Sequence, residues 1–501
     1  MDGAARVSKQ SLANSNDVML KHVVLFAAAA HALASERIQV VRDDYGVPHV
    51  YAQTAVGAAY ASGYFQAADR GEQLLANLGN SAGSLTSLSP RLQTIIGAYC
   101  AGANAYFGAA KVNPSGVAAF SRTAYGLIPE SNDILIGRSR SSEGAVIAIL
   151  SPIASWSVTS RLYELEIETA EGFSFAGLGP VGVPFPLIGH SDAIAIAAHG
   201  ERLAGEKALD EVWALTTSRN LEEAKKALDL GQLRGQRFLI GTAAGDIYDS
   251  HDGTLNPSEG ILLSGGGVPQ ALAMTRQLIY RANSFSVESA VSLAYATDVY
   301  KAETWQAKIA KIAPGSEFVR VLTGWSRRAD ADSRAALAFY LFKMALGEDA
   351  GAIEPPVRLS DQRIRAALRK AQDRFETEFP VNATYGSLFR FMQDGERRSW
   401  PVGGGTAVEA GMATPRAIAF DHRGALFIGH SGQAGVLVVA LSKPVKSVMA
   451  LPFGESESPD SPHFEDQARQ LFSHGYTMTT WFGDRKNLEK RSRDRKEIIL
   501  P

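Results

Sequence analysis

Two short apolar runs, Ile38-Gln39-Val40-Val41 and Val47-Pro48-His49-Val50-Tyr51-Ala52, flank a turn containing Gly46 and predict a β-hairpin. Thr54 is placed to cap a helix whose body runs from Ala58 to Arg70. The Gly/Ser/Thr-rich stretch from Gly79 to Ser89 reads as a loop. Ser89-Pro90 then predicts a second helix, with serine at the cap and proline at the first turn, where its missing N–H costs nothing. Leu92, Ile95, Ile96, Tyr99, Ala103 and Tyr106 recur at helical spacing and form one buried stripe.

Beyond residue 130 the rhythm changes. Ile134-Leu135-Ile136, Val146 to Leu150, Leu162 to Ile167 and Ile194 to Ala198 are short apolar or alternating runs separated by turn residues, the signature of strands. Leu221–Leu228, Val287–Tyr295, Ala335–Leu346 and Ile364–Phe379 return to the helical period, and they predict a helical lobe at about 285–380 packed on a sheet core. Glu354-Pro355-Pro356 is the clearest linker.

The 501 residues are 46% hydrophobic and 20% charged, which suits a globular chain with a large core or two to three lobes. A net charge of -2 gives no electrostatic basis for nucleic-acid or anionic-membrane partners, and the basic tail from Arg485 to Lys496 lacks the aromatic partners of a nucleic-acid site. Cys100 is the single cysteine, so intrachain disulfides and cysteine metal sites are excluded, and its helical setting marks it as core. Residues 19–34 read as a signal peptide: Met19-Leu20-Lys21-His22 leads into the apolar run Val23 to Ala30, and Ala32-Leu33-Ala34 offers a small-x-small cleavage site. That run is too short to span a bilayer. The expectation is a periplasmic or secreted protein cleaved after Ala34, with residues 1–18 an unassigned extension.

The chemistry centres on Pro129-Glu130-Ser131-Asn132-Asp133-Ile134. A serine hydroxyl needs a base, and a free α-amino group, with a pKa of roughly 7.7–8.0, can serve as one. Breaking the peptide before Ser131 would let one residue supply both nucleophile and base. Two decoys, Gly189-His190-Ser191-Asp192-Ala193 and Gly429-His430-Ser431-Gly432-Gln433, approach the G-x-S-x-G elbow of α/β-hydrolases but lack its final glycine and a convincing following helix. No histidine pair has zincin spacing, and Gly265-Gly266-Gly267 lacks the Lys-Ser/Thr of a phosphate loop.

Longer stretches resemble a known family. "VVRDDYGVPHVYA", "GYFQAADRGEQL", "SPRLQTIIGAYCAGANAYF", "SNDILIGRSRSSEGAVIAILSPIASW", "SRLYELEIE", "GLGPVGVPFPLIGHSDAIAIAAHG", "LTGWSRRADADSRAALAFYLF", "WPVGGGTAVEAG" and "GESESPDSPHFEDQARQLFSHGYT" are similar to segments of the penicillin acylase family of N-terminal serine nucleophile hydrolases. The resemblance covers nearly the whole mature chain. It implies an α+β fold, the four-layer αββα sandwich of that group, with two antiparallel sheets stacked between helical layers and Ser131 at the start of a central strand. It also implies self-cleavage of a zymogen into a first chain within 35–130 and a second chain, 131–501, with Ser131 as nucleophile and the Gly200 backbone N–H as one arm of the oxyanion hole. The expected partner is a small N-acyl amide such as a penicillin or an acyl-homoserine lactone, with β-lactam side chains, acyl-homoserine lactones and lipopeptides all open.

The chain also departs from the family pattern. Gly266 stands where the pattern places an asparagine, the other oxyanion donor, and loss of such a donor typically costs on the order of 10²–10³ in rate unless a backbone N–H of the glycine run or the Ser264 hydroxyl substitutes. Glu130 precedes the serine where relatives often have glycine. The calcium-binding acids of many relatives are replaced around Ala204, Gly205, Glu206 and Lys207, so no metal or cofactor is expected. The family's catalytic-region arginine aligns insecurely with Arg276 or Arg281. The first chain is much shorter than usual, which would leave helices that line the acyl pocket of relatives without a counterpart. The leading expectation is an exported amide hydrolase; the alternative is a catalytically degenerate acylase-fold binding protein.

Overall fold

The computed structural model describes residues 35–79, 83–201, 203–313, 315–393 and 398–501. The signal-like segment 19–34 and the extension 1–18 lie outside the described residues. The chain is a mixed α+β protein. Among the described residues no helix is long and apolar enough to cross a membrane.

The opening hairpin forms as its pattern predicts: Glu36–Arg42 pairs antiparallel with Pro48–Ala52. Asp43 Oδ1 accepts the N–H groups of Tyr45 and Val47 and fixes the turn, where Gly46 takes a φ of 81° that glycine adopts without steric cost. Thr54 caps the helix Ala55–Leu78 through the Gly57 N–H, and Ser89 caps Pro90–Phe107 through the Leu92 N–H. These two helices cross backbone to backbone, because a Cβ on Gly63 would lie 2.0 Å from Tyr99 O and one on Gly102 1.9 Å from Tyr60 O. Cys100 is buried in the second helix, where desolvation pushes its thiol up to about 12.

Nine strands form the largest sheet, in the order 247–249, 237–242, 194–199, 188–190, 174–180, 162–169, 48–52, 36–42 and 495–500. Its one parallel pairing joins Pro48–Ala52 to Leu162–Thr169. That pairing buries His49 against Glu166, with Nδ1 2.8 Å from Oε2. A six-stranded sheet runs 261–263, 134–136, 147–150, 436–440, 446–450 and 478–479. Its strands alternate between two cores. Leu135, Ala148, Leu150, Leu437 and Val439 join the core shared by the nine-stranded sheet and the N-terminal helices. Ile134, Ile136, Ile147, Ile149, Val436 and Val438 turn the other way, onto Ala290, Leu293 and Ala294 of the helix Val287–Ala294.

Helices between Ala302 and Thr377 enclose a core of their own around Trp305, Leu322, Phe339, Phe342, Ile364 and Phe375. Glu354-Pro355-Pro356 lies between Arg334–Ala345 and Asp361–Thr377, two helices that share this core, so it joins elements within the lobe.

Candidate active site

Ser131 sits on a two-residue strand, Glu130–Ser131, at the outer end of a third sheet that runs 400–401, 389–391, 426–433, 152–155 and 130–131. This differs from a serine opening a central strand, and the register shows why. Glu130 and Ser131 face Ile153 and Pro152, and Ile134 to Ile136 face Ile149 to Ile147 in unbroken antiparallel sequence. One ribbon therefore crosses from the third sheet into the six-stranded one, and Ser131 lies just before the bend. Asn132 N–H donates to Ser151 O at 2.9 Å, and Ser151 N–H donates to Asp133 Oδ1 at 2.7 Å, so a carboxylate replaces a ladder carbonyl at the bend.

Ser131 is fully buried within a nest of hydrogen bonds. Its Oγ lies 2.8 Å from His199 Nδ1 and 3.0 Å from Ser264 Oγ. His199 ends the strand Ile194–His199 of the nine-stranded sheet, so the pair bridges two sheets. Asp133 Oδ2 stands 3.8 Å from the same His199 nitrogen and is buried without a hydrogen-bond partner. Ser264 Oγ accepts the Asp133 N–H at 2.8 Å and donates to Ser131 O at 2.9 Å. Arg237, paired with Asp249, holds Ser264 by donating to its carbonyl at 2.7 Å.

The loop 264–267 wraps the Ser131 main chain, and its three glycines each have a physical reason. Gly265 and Gly267 adopt φ of 74° and 81°. Gly266 has no room for a side chain, since a Cβ there would lie 2.4 Å from Ser131 O. Its N–H donates to Ser131 O at 2.7 Å, and Gly267 N–H donates to Glu130 Oε2 at 2.9 Å. Gly200 follows His199 directly, and its N–H donates to Ile128 O at 2.8 Å. A Cβ on Gly200 would lie 2.2 Å from Gly235 O, which requires glycine there.

The structure thus brings Ser131 and Gly266 into contact and sets Gly200 beside His199, with both glycine N–H groups already engaged by carbonyls. Three further residues of the nest, His199, Asp133 and Arg237, are not singled out by sequence reasoning. The available signal was a histidine closing an otherwise apolar strand, immediately before Gly200. Arg276 and Arg281 both lie exposed on the helix Pro269–Arg281.

The decoy histidines take no part. His190 is buried and lowered to about 4 by desolvation, and Ser191 Oγ accepts the N–H groups of Ala193 and Ile194 in a turn. His430 lies within the strand Leu426–Gln433. Of residues 204–207 only Glu206 carries a carboxylate; Ala204 is buried, Gly205 N–H is bound to Gln232 O, and the Glu211 carboxylate accepts the Gln232 and Leu233 N–H groups. A cavity of about 540 Å³ among Leu278, Phe285, Tyr295, Arg328, Arg416 and His474 is lined by none of Ser131, His199, Gly200, Ser264 or Gly266.

Fold and site together define a mixed α+β protein built around a buried, hydrogen-bonded serine. The chain belongs to the penicillin amidase family, whose sequence profile matches residues 37–89, 105–199 and 271–489, most of its length. At the level of that family it is an amide hydrolase of the acylase type. Ser131 and His199 fall within the matched segments, whereas Gly200, Ser264 and Gly266 fall in the unmatched interval between them. The chain has no match among curated proteins. One similar solved structure is the thermostable penicillin G acylase of Alcaligenes faecalis in orthorhombic form, 12% identical with a TM-score of 0.48, over 73% of this chain and 98% of that one.

Proposed function

We propose that this protein is an exported acylase that hydrolyses the amide bond of a small N-acyl substrate through Ser131, after cleavage of the Glu130–Ser131 peptide has made that serine the start of a second chain, 131–501. One observation carries the reading: Ser131 is a fully buried serine whose hydroxyl lies 2.8 Å from a histidine nitrogen, in a nest where strands of three sheets converge. The nine-stranded sheet and the six-stranded sheet share one core, with helices packed beyond each, and this supports the αββα sandwich of N-terminal nucleophile hydrolases. The freed Ser131 amine takes the hydroxyl proton, Oγ attacks the amide carbonyl, the amine portion of the substrate leaves, and water releases the acyl group. A penicillin or an acyl-homoserine lactone fits this chemistry.

The engagement of both glycine N–H groups by protein carbonyls favours a second reading, a binding protein on the same fold. One experiment separates the two. On a denaturing gel the purified wild type should give two fragments, the larger beginning Ser131-Asn132-Asp133, and it should hydrolyse members of an N-acyl amide panel; Ser131→Ala should stay whole and inactive. An intact wild type without turnover would leave the binding protein standing.

A further inference from the structure

We propose that His199 is the catalytic base that starts cleavage of the Glu130–Ser131 peptide in the intact chain. The inference rests on Ser131 becoming a chain terminus and adds the residue that makes this possible. Before cleavage the Ser131 nitrogen is an amide and cannot act as a base, so another group must take the hydroxyl proton. His199 Nδ1, 2.8 Å from Oγ, is the basic atom in place. Ser264 Oγ, at 3.0 Å, already accepts the Asp133 N–H and donates to Ser131 O, and a hydroxyl is a far weaker base than an imidazole. The Glu130 carboxylate is turned outward to the Gly267 N–H.

Asp133 completes the arrangement. Its Oδ1 is held by the Ser151 N–H, which leaves the buried Oδ2 without a hydrogen bond, 3.8 Å from the nitrogen that gains the proton. A buried carboxylate oxygen without a hydrogen bond is costly unless a positive charge forms beside it, and protonation of His199 forms one. The burial of Ser131 selects the target, because no outside substrate reaches its Oγ, whereas the Glu130 carbonyl carbon is attached to its own nitrogen.

In the reaction, His199 Nδ1 takes the Oγ proton as Oγ bonds to the Glu130 carbonyl carbon. The C–N bond then breaks, and His199 returns the proton to the departing Ser131 nitrogen. This leaves an ester between Glu130 and Ser131 Oγ beside a free amine. Water hydrolyses the ester, giving a carboxyl group on Glu130 and restoring the Ser131 hydroxyl.

The test uses full-length protein followed by denaturing gel and intact mass. His199→Gln should cleave about 10²-fold or more slowly than wild type, the usual worth of a positioned base, while keeping wild-type circular dichroism. His199→Ala should regain cleavage when imidazole is added. A purely structural histidine would yield no such rescue. Cleavage of His199→Gln at the wild-type rate overturns the role of His199 and leaves Ser131 as nucleophile untouched. A wild type that never cleaves overturns both.

Discussion

An asparagine at position 266 would supply on paper the oxyanion donor that the resemblance leads one to expect there, and the structure predicts that it will not raise the rate. A Cβ on Gly266 would lie 2.4 Å from Ser131 O, 2.9 Å from Ser131 N and 3.0 Å from Ser131 C. Ordinary contacts are about 3.5 Å, so the loop and the Ser131 peptide must separate by about 1 Å. Overpacking of this kind costs roughly 1–3 kcal/mol, and an error of about 1 Å at a reacting group costs roughly 10²-fold in rate. The oxyanion donor would contribute on the order of 10²–10³ only if it arrived in register. Its main chain is what the clash displaces. Gly266→Ala, which adds the Cβ without the donor, should therefore slow self-cleavage about 10²-fold and lower the melting temperature, and Gly266→Asn should do no better. The assay is the half-time of precursor cleavage on a denaturing gel, with kcat/KM on the cleaved fraction and a thermal melt. A Gly266→Asn protein with higher kcat/KM beside a neutral Gly266→Ala would refute the reasoning.

Two further expectations concern stability. Burial alone would lower the pKa of His49, but the Glu166 carboxylate, with help from Asp43, outweighs it and holds His49 up to about 9. Because the folded value lies above the unfolded value of about 6.5, the stabilisation is complete below that pH and is lost as pH rises through 9, by at most about 3 kcal/mol; urea melts at pH 6 and pH 9.5 should show this difference, and a His49→Gln variant with an undiminished slope would assign it elsewhere. Gly102→Ala would place a Cβ 1.9 Å from Tyr60 O where two helices cross, so it should destabilise by about 3 kcal/mol despite the better helix propensity of alanine, and equal urea midpoints would contradict the crossing.

The features legible in the sequence are those encoded within a few residues. Thr54 and Ser89 cap helices because the groups they satisfy lie three residues on, and the 38–52 hairpin follows from two apolar runs around Gly46. Even some local signals pass unread: Asn113-Pro114 opens the helix Pro114–Ala124 with the same logic as Ser89-Pro90. The nest around Ser131 is of another kind. His199 is 68 residues away in sequence and Ser264 is 133 away, and they meet Ser131 because strands of three sheets converge at one bend. Nothing in the run Ile194–His199 states which strand it will face. The glycine run at 265–267 was visible as composition, yet the reason for its middle member is the Ser131 peptide against it.

That convergence also fixes an order of events for the proposed reaction. In the intact chain the Ser131 nitrogen is joined to Glu130, the Gly200 N–H is bound to Ile128 O, and the Gly267 N–H is bound to the Glu130 carboxylate. All three groups are occupied by the segment that precedes the scissile bond. Breaking the peptide frees only the nitrogen. The Gly200 N–H becomes available to a substrate oxyanion only when residues 128–130 also withdraw, and the same withdrawal opens a path to the buried Ser131 hydroxyl. Glu130 then has a physical use at a position where glycine would favour the strained geometry of cleavage: its carboxylate, held by Gly267, keeps the new chain end docked over the site. Cleavage and activation are on this account two steps, the first set by the hydrogen bonds around Ser131 and the second by how tightly Ile128 and Glu130 are held.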